Sequence, residues 1–144
     1  MDNNKSNHNS KISSFKGHKV LVIGDTHDSP DIPKDRFLWI GKHIRKIKPD
    51  YVVHIGDFCS FDSLSYFQAN DTQQGKLKDA FMVDILSMRT ALALINKGMG
   101  NVQVPKHITL GNHEQRVHKF EEKIPEIEGM MKDQLYQSFH SSNW

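Results

Sequence analysis

A single cysteine, Cys59, leaves this chain without an internal disulfide, and a reducing cytoplasm is the simplest setting for it. No apolar run approaches the roughly 18 residues that a membrane-crossing helix needs. The opening stretch, MDNNKSNHNSK, lacks the apolar centre of a secretory signal. Net charge is scarce too. Nineteen basic residues against 17 acidic ones leave +2, which excludes a nucleic-acid binder held by bulk charge alone. There is no GxxxxGK[ST] run, which argues against a glycine-rich phosphate cradle. Apolar residues make up a lean 37%, yet 144 residues suffice for one domain with a core. What is plentiful is histidine, nine in all, and their placement carries the argument.

Residues 1–17 are rich in Asn, Ser and Lys and read as a flexible tail, with 18–144 as the folded domain. KVLVIG (Lys19–Gly24) and YVVHIG (Tyr51–Gly56) are short β-branched runs, the mark of strands buried on both faces. Between them, from Lys34 to Lys48, Phe37, Ile40, Ile44 and Ile47 recur at helical spacing, and Pro49 closes the helix. Phe58 to Gly75 reads as a long loop. Leu77 to Lys97 is the strongest helix, its stripe running Phe81, Ile85, Met88, Leu92, Ile95, with Gly98 as its C-cap. HITL (His107–Leu110) is a third strand. The last 30 residues are polar and weakly helical. Strand, helix, strand, helix, strand predicts an α/β fold with a parallel βαβαβ core.

In such sheets ligands gather at the carboxyl ends of the strands. All three predicted strands end in Gly followed by a metal-ligating type: Gly24-Asp25-Thr26-His27, Gly56-Asp57, and Gly111-Asn112-His113-Glu114. Asp25 and His27, two apart, share one side of an extended segment and can hold one ion. Asp57 has two oxygens and can bridge two ions. Asn112 offers an amide carbonyl. This mixture suits Mn, Fe, Ni or Zn. Two such ions about 3.5–4 Å apart make a hydrolytic centre. His113 is placed to protonate a leaving alkoxide, Glu114 to orient His113 through its other ring nitrogen, and Arg116 to grip phosphate oxygens.

Other polar residues read as structural. His54 is a core or sheet-face histidine, His107 and His43 are surface groups, and Cys59 is a packed thiol. Asp28 is a turn or helix-entry residue. Asp62 and Ser63 cap the loop or touch substrate. Lys42, Arg45, Lys46 and Lys48 form a solvated helix face.

The blocks GDTH, GD and GNHE, in this order and spacing, resemble the first three signature blocks of the calcineurin-like metallophosphoesterases. The stretches around GDFCSFDSLS and GNHEQR are most similar to bacteriophage-encoded members, which places the protein in a host cytoplasm. The resemblance runs from Lys19 to the end. It implies an α/β sandwich of two sheets flanked by helices, with two divalent ions at the strand ends. By that carry-over Asp25 and His27 bind the first metal, Asp57 bridges, Asn112 binds the second, and His113 protonates the leaving group as a bridging hydroxide attacks phosphorus. The substrate is a phosphate mono- or diester, with nucleotides and nucleic acid among the candidates.

The family pattern continues into strands bearing a further histidine and a Gly-His-x-His block, neither of which occurs in these 144 residues. The sequence therefore reads as the N-terminal portion of the domain, with the C-terminal strands missing. His118 and His140 are the downstream stand-ins. The rival expectation is an inert or split half that binds metal and needs a complementary C-terminal chain or a second copy of itself.

Overall fold

The computed structural model describes residues 17–66 and 74–144. Apart from Gly17, the expected tail lies outside these residues. Three strands, β1 (Val20–Ile23), β2 (Tyr51–His54) and β3 (Lys106–Ile108), form one parallel sheet in the order β1-β2-β3. The helices are α1 (Asp35–Ile47), α2 (Ser63–Tyr66), α3 (Gln74–Met99), α4 (Glu114–Glu121) and α5 (Met130–His140), with a 3-10 turn at Pro125–Ile127.

The parallel α/β core is as the alternation predicted, and the differences are local. β3 starts one residue early and stops at Ile108. The segment expected to be a loop carries α2, and α3 begins at Gln74. Gly98 is not the cap of α3 but lies inside it. A Cβ there would come 2.8 Å from the Gly41 Cα, and one on Gly41 would strike the Ile95 carbonyl. So α1 and α3 touch main chain to main chain. Gly100, at φ +60°, takes the turn, its N–H reaching the Asn96 carbonyl at 3.2 Å.

Periodicity explains the core. Along α3, Phe81, Ile85, Met88, Leu92, Ile95 and Met99 alternate four and three residues apart and are all buried. Phe37 and Ile44 of α1 face them. Each such side chain contributes roughly 1.5–3 kcal/mol by leaving water. On the sheet, Val52 and His54 are buried and Leu21, Ile23 and Ile108 pack against the same core.

The opposite sheet face carries Val20, Val22, Tyr51, Val53 and His107 by register. Val20 and Val22 are 47% and 58% exposed. Among the described residues helices cover one side only, so the strands are not buried on both faces as their β-branched runs suggested, and there is one sheet rather than the two the family resemblance implied. Among these residues no helix is long and apolar enough to cross a membrane.

α4 is built unusually. Its buried stripe is Glu114, Val117, Glu121. Both carboxylates are spoken for. Glu121 accepts the amides of Gly129, Met131 and Lys132 and so caps the start of α5, with the Lys132 ammonium 3.5 Å away. Glu114 turns to the strand ends.

Candidate metal centre

The loops after β1 and β2 zip together beyond the sheet. The His27 N–H donates to the Asp57 carbonyl at 3.0 Å, Asp28 N–H to Phe58 at 2.7 Å, and Ser60 N–H to Asp28 at 2.8 Å. Asp28 itself is fully buried. Its carboxylate takes the Lys34 ammonium at 2.7 Å and the Ser87 hydroxyl at 2.6 Å, anchoring the loop to α1 and α3. It is a structural residue.

Two residues of these loops, His27 at φ 44° and Asp57 at φ 50°, sit in the left-handed region. Non-glycine residues there cost of order 1 kcal/mol or more, and such residues concentrate where function fixes the backbone. Behind Asp57, Gly56 (φ +100°) presses on Gly111. A Cβ on Gly56 would come 2.6 Å from the Gly111 nitrogen, and one on Gly111 would strike the Asp57 carboxylate. Glycine at both positions lets the β2 and β3 loops meet backbone to backbone.

This contact gathers the candidate ligands. One donor atom each from His27, Asp57 and His113 lie within 4.8 Å of one another, each residue half-buried. The His27 and His113 rings meet edge to face, centroids 4.6 Å apart. Asp57 Oδ1 accepts the His113 amide at 2.9 Å. His113 Nδ1 is 2.7 Å from the Ser60 carbonyl. A carbonyl only accepts, so the proton of neutral His113 is on Nδ1, and Nε2 presents a lone pair. Asp25 lies outside this trio and is exposed, as is Asn112 at the start of the β3 loop.

Glu114, fully buried, does not orient the His113 ring as the sequence suggested. Its carboxylate accepts the amides of Asp57 (2.9 Å), Gly111 (2.9 Å) and Cys59 (3.1 Å). It holds both loops through their backbones. The ring is oriented instead by Ser60, whose carbonyl also takes Arg116 Nη1 at 3.0 Å. Arg116 further meets the Ser65 hydroxyl at 2.9 Å and Asp62 at 3.8 Å.

His54 is a core histidine. The Gly56 amide donates to its Nδ1 at 3.2 Å, and its Nε2 faces the Thr26 hydroxyl at 3.1 Å, which itself donates to the Phe58 carbonyl. Each partner is satisfied by a neutral imidazole protonated on Nε2. Burial pushes this group down to about 4, against the opposing pull of Asp25 and Asp57. Burial also drives the Cys59 thiol upward, so it is a packed, unreactive group.

His118 pairs with the Tyr136 hydroxyl at 3.1 Å, and His140 is exposed at the end of α5; neither belongs to the trio. Asp84, raised by burial, receives the Ser63 amide and hydroxyl and fixes the start of α2.

Strand ends that converge in this way give an α/β fold with imidazole and carboxylate donors placed where they could hold a metal ion. The calcineurin-like phosphoesterase family model matches residues 18–142, and the chain belongs to that family. Among curated proteins and among solved structures, none matches the chain.

Proposed function

We propose that this protein hydrolyses phosphate mono- or diesters at a pair of divalent ions, with His113 as the proton donor to the leaving group. The observation that carries this reading is the trio His27, Asp57 and His113, brought within 4.8 Å by two strained loops and a buried carboxylate.

The donors fit a first-row divalent ion: the His27 imidazole and the Asp57 carboxylate stand on a framework with two left-handed residues already in place, and the His113 ring lies beside them. Asp25, His27 and Asp57 would hold one ion, and Asp57 with Asn112 the other. When bound, such ions lower the pKa of water and polarise a phosphoryl oxygen. The chain's own residues do the rest. Ser60 holds the His113 ring by Nδ1, which turns Nε2 toward the reacting group. In its protonated form that nitrogen gives a proton to the departing alkoxide. Arg116, its guanidinium braced by Ser60 and Ser65, stands one helical turn away to receive phosphate oxygens.

Protein loaded with Mn²⁺ and assayed on a chromogenic phosphodiester tests this. Turnover that disappears in Asp57→Ala and on chelation is the expected result. A well-folded, metal-loaded protein without turnover overturns it. Turnover restored only by a complementary chain would establish the rival half-enzyme reading.

A further inference from the structure

Arg116 opens a longer cationic track. It stands with Lys119, Phe120 and Lys123 at i, i+3, i+4 and i+7, one face of α4 and the turn that follows. The buried stripe Glu114, Val117, Glu121 occupies the other face. With Leu64 and Ser65 of α2, these four residues line a surface cavity of about 370 Å³. Its floor is apolar, from Leu64 and Phe120, and its rim carries three cations.

The track starts at the metal centre. Arg116 Nη1 and His113 Nδ1 meet the same Ser60 carbonyl, at 3.0 and 2.7 Å. From Arg116 to Lys123 the helical rise spans about 10 Å, more than one phosphate group covers. The carboxylate in contact is Asp62, 3.8 Å from Arg116 and itself half exposed. Among the described residues neither Lys119 nor Lys123 pairs with a carboxylate.

We infer that this groove binds the backbone of a single-stranded oligonucleotide whose reacting phosphate lies at the metal centre. Successive phosphates sit on Arg116, Lys119 and Lys123, and a base packs on Phe120. Cations repeated along a line, with an aromatic ring between them, match a strand of regularly spaced charges and flat bases. A phosphopeptide offers one concentrated charge and leaves Lys123 without a partner. Local arrangement supplies here what a net charge of +2 does not.

This inference names the substrate class of the phosphoesterase reading and rests on it, but binding can be measured without turnover. The probe is a short fluorescein-labelled oligothymidylate, read by anisotropy in EDTA. Lys119→Gln/Lys123→Gln should raise Kd about tenfold or more. Removing two phosphate contacts should also flatten the slope of log Kd against log salt by roughly 1.4. Lys42→Gln/Lys46→Gln, the same charge change on α1, should leave both unchanged. Equal weakening by the two double variants, absence of binding, or displacement by an acidic phosphopeptide at lower concentration than by unlabelled oligonucleotide overturns the inference. Binding by the groove without ester hydrolysis in Mn²⁺ would remove the phosphoesterase reading alone. Hydrolysis of a small diester without oligonucleotide binding would remove the groove alone.

Discussion

The carboxylate of Glu114 accepts the backbone amide of Asp57 across 2.9 Å, so a residue of α4 sets the position of the central metal-ligating loop. The same carboxylate also takes the amides of Gly111 and Cys59. Glu114→Gln would aim an NH₂ group at one or more of these N–H donors. The expected loss is about 2–4 kcal/mol, from unsatisfied buried donors. It should appear as a lower urea midpoint, and metal affinity should fall roughly 10–100-fold. An unchanged midpoint would show that the three amides do not depend on this charge.

His113→Asn separates proton donation from metal binding. Turnover should drop by about 10²–10⁴, the usual contribution of a general acid. Metal content, measured on the purified variant, should stay near that of the parent. Its ring lies among the donor atoms, so loss of metal would reassign it as a ligand.

Stability should depend on pH through His54. Its folded value, about 4, lies below the ordinary 6.5, because burial disfavours the cation. Between those values the unfolded chain binds the extra proton, so stability rises with pH across roughly 4 to 6.5 and is lost on acidification. The full difference is on the order of 3 kcal/mol. Urea titrations of metal-free protein at pH 5 and 7 should show roughly 2 kcal/mol of it. His54→Asn should flatten the difference, whatever its effect at neutral pH.

Gly111→Ala should be worse than an exposed Gly→Ala change. The new methyl strikes the Asp57 carboxylate and lies 2.4–2.6 Å from neighbouring Asp57 atoms other than that oxygen, too close for any Cβ. The loops must part, and metal affinity should fall at least tenfold even in protein that folds. Calorimetric titration with Mn²⁺ reads this directly.

Lys48→Gly is expected to stabilise. Lys48 ends α1 at φ 46°, its N–H bonded to the Ile44 carbonyl at 2.9 Å, and its side chain is exposed. Glycine adopts that conformation without the Cβ penalty, a gain of roughly 0.5–1 kcal/mol. A Tm no higher than that of the parent would show that the lysine stem contributes packing there.

The sheet was legible because β1 and β2 are short runs rich in β-branched residues and followed by Gly-Asp, and α3 because its apolar spacing is regular. α4 was hard to see because its inward face is made of Glu114, Val117 and Glu121. Two charged letters in three give no amphipathic signal. Only their backbone partners make them interior residues. The same reason hid the work of Glu114 and Ser60. Glu114 engages three main-chain amides, and Ser60 engages a ring nitrogen and a guanidinium through its own main-chain carbonyl, and no sequence letter records main-chain atoms. Gly98 was misplaced as a cap because glycine near a helix end has two meanings, a turn or a close approach. Only the position of Gly41 decides between them.

That approach of Gly41 to Gly98 has a mechanical result. Two rods in contact along their peptide groups have no cushion of side chains to compress, so neither can slide or roll without lifting off the other. Lys34, which grips Asp28, directly precedes α1, and Ser87, its other grip, is on α3. The loop carrying His27 is therefore moored to a stiff two-beam frame, and a displaced mooring at either end would be felt at the imidazole.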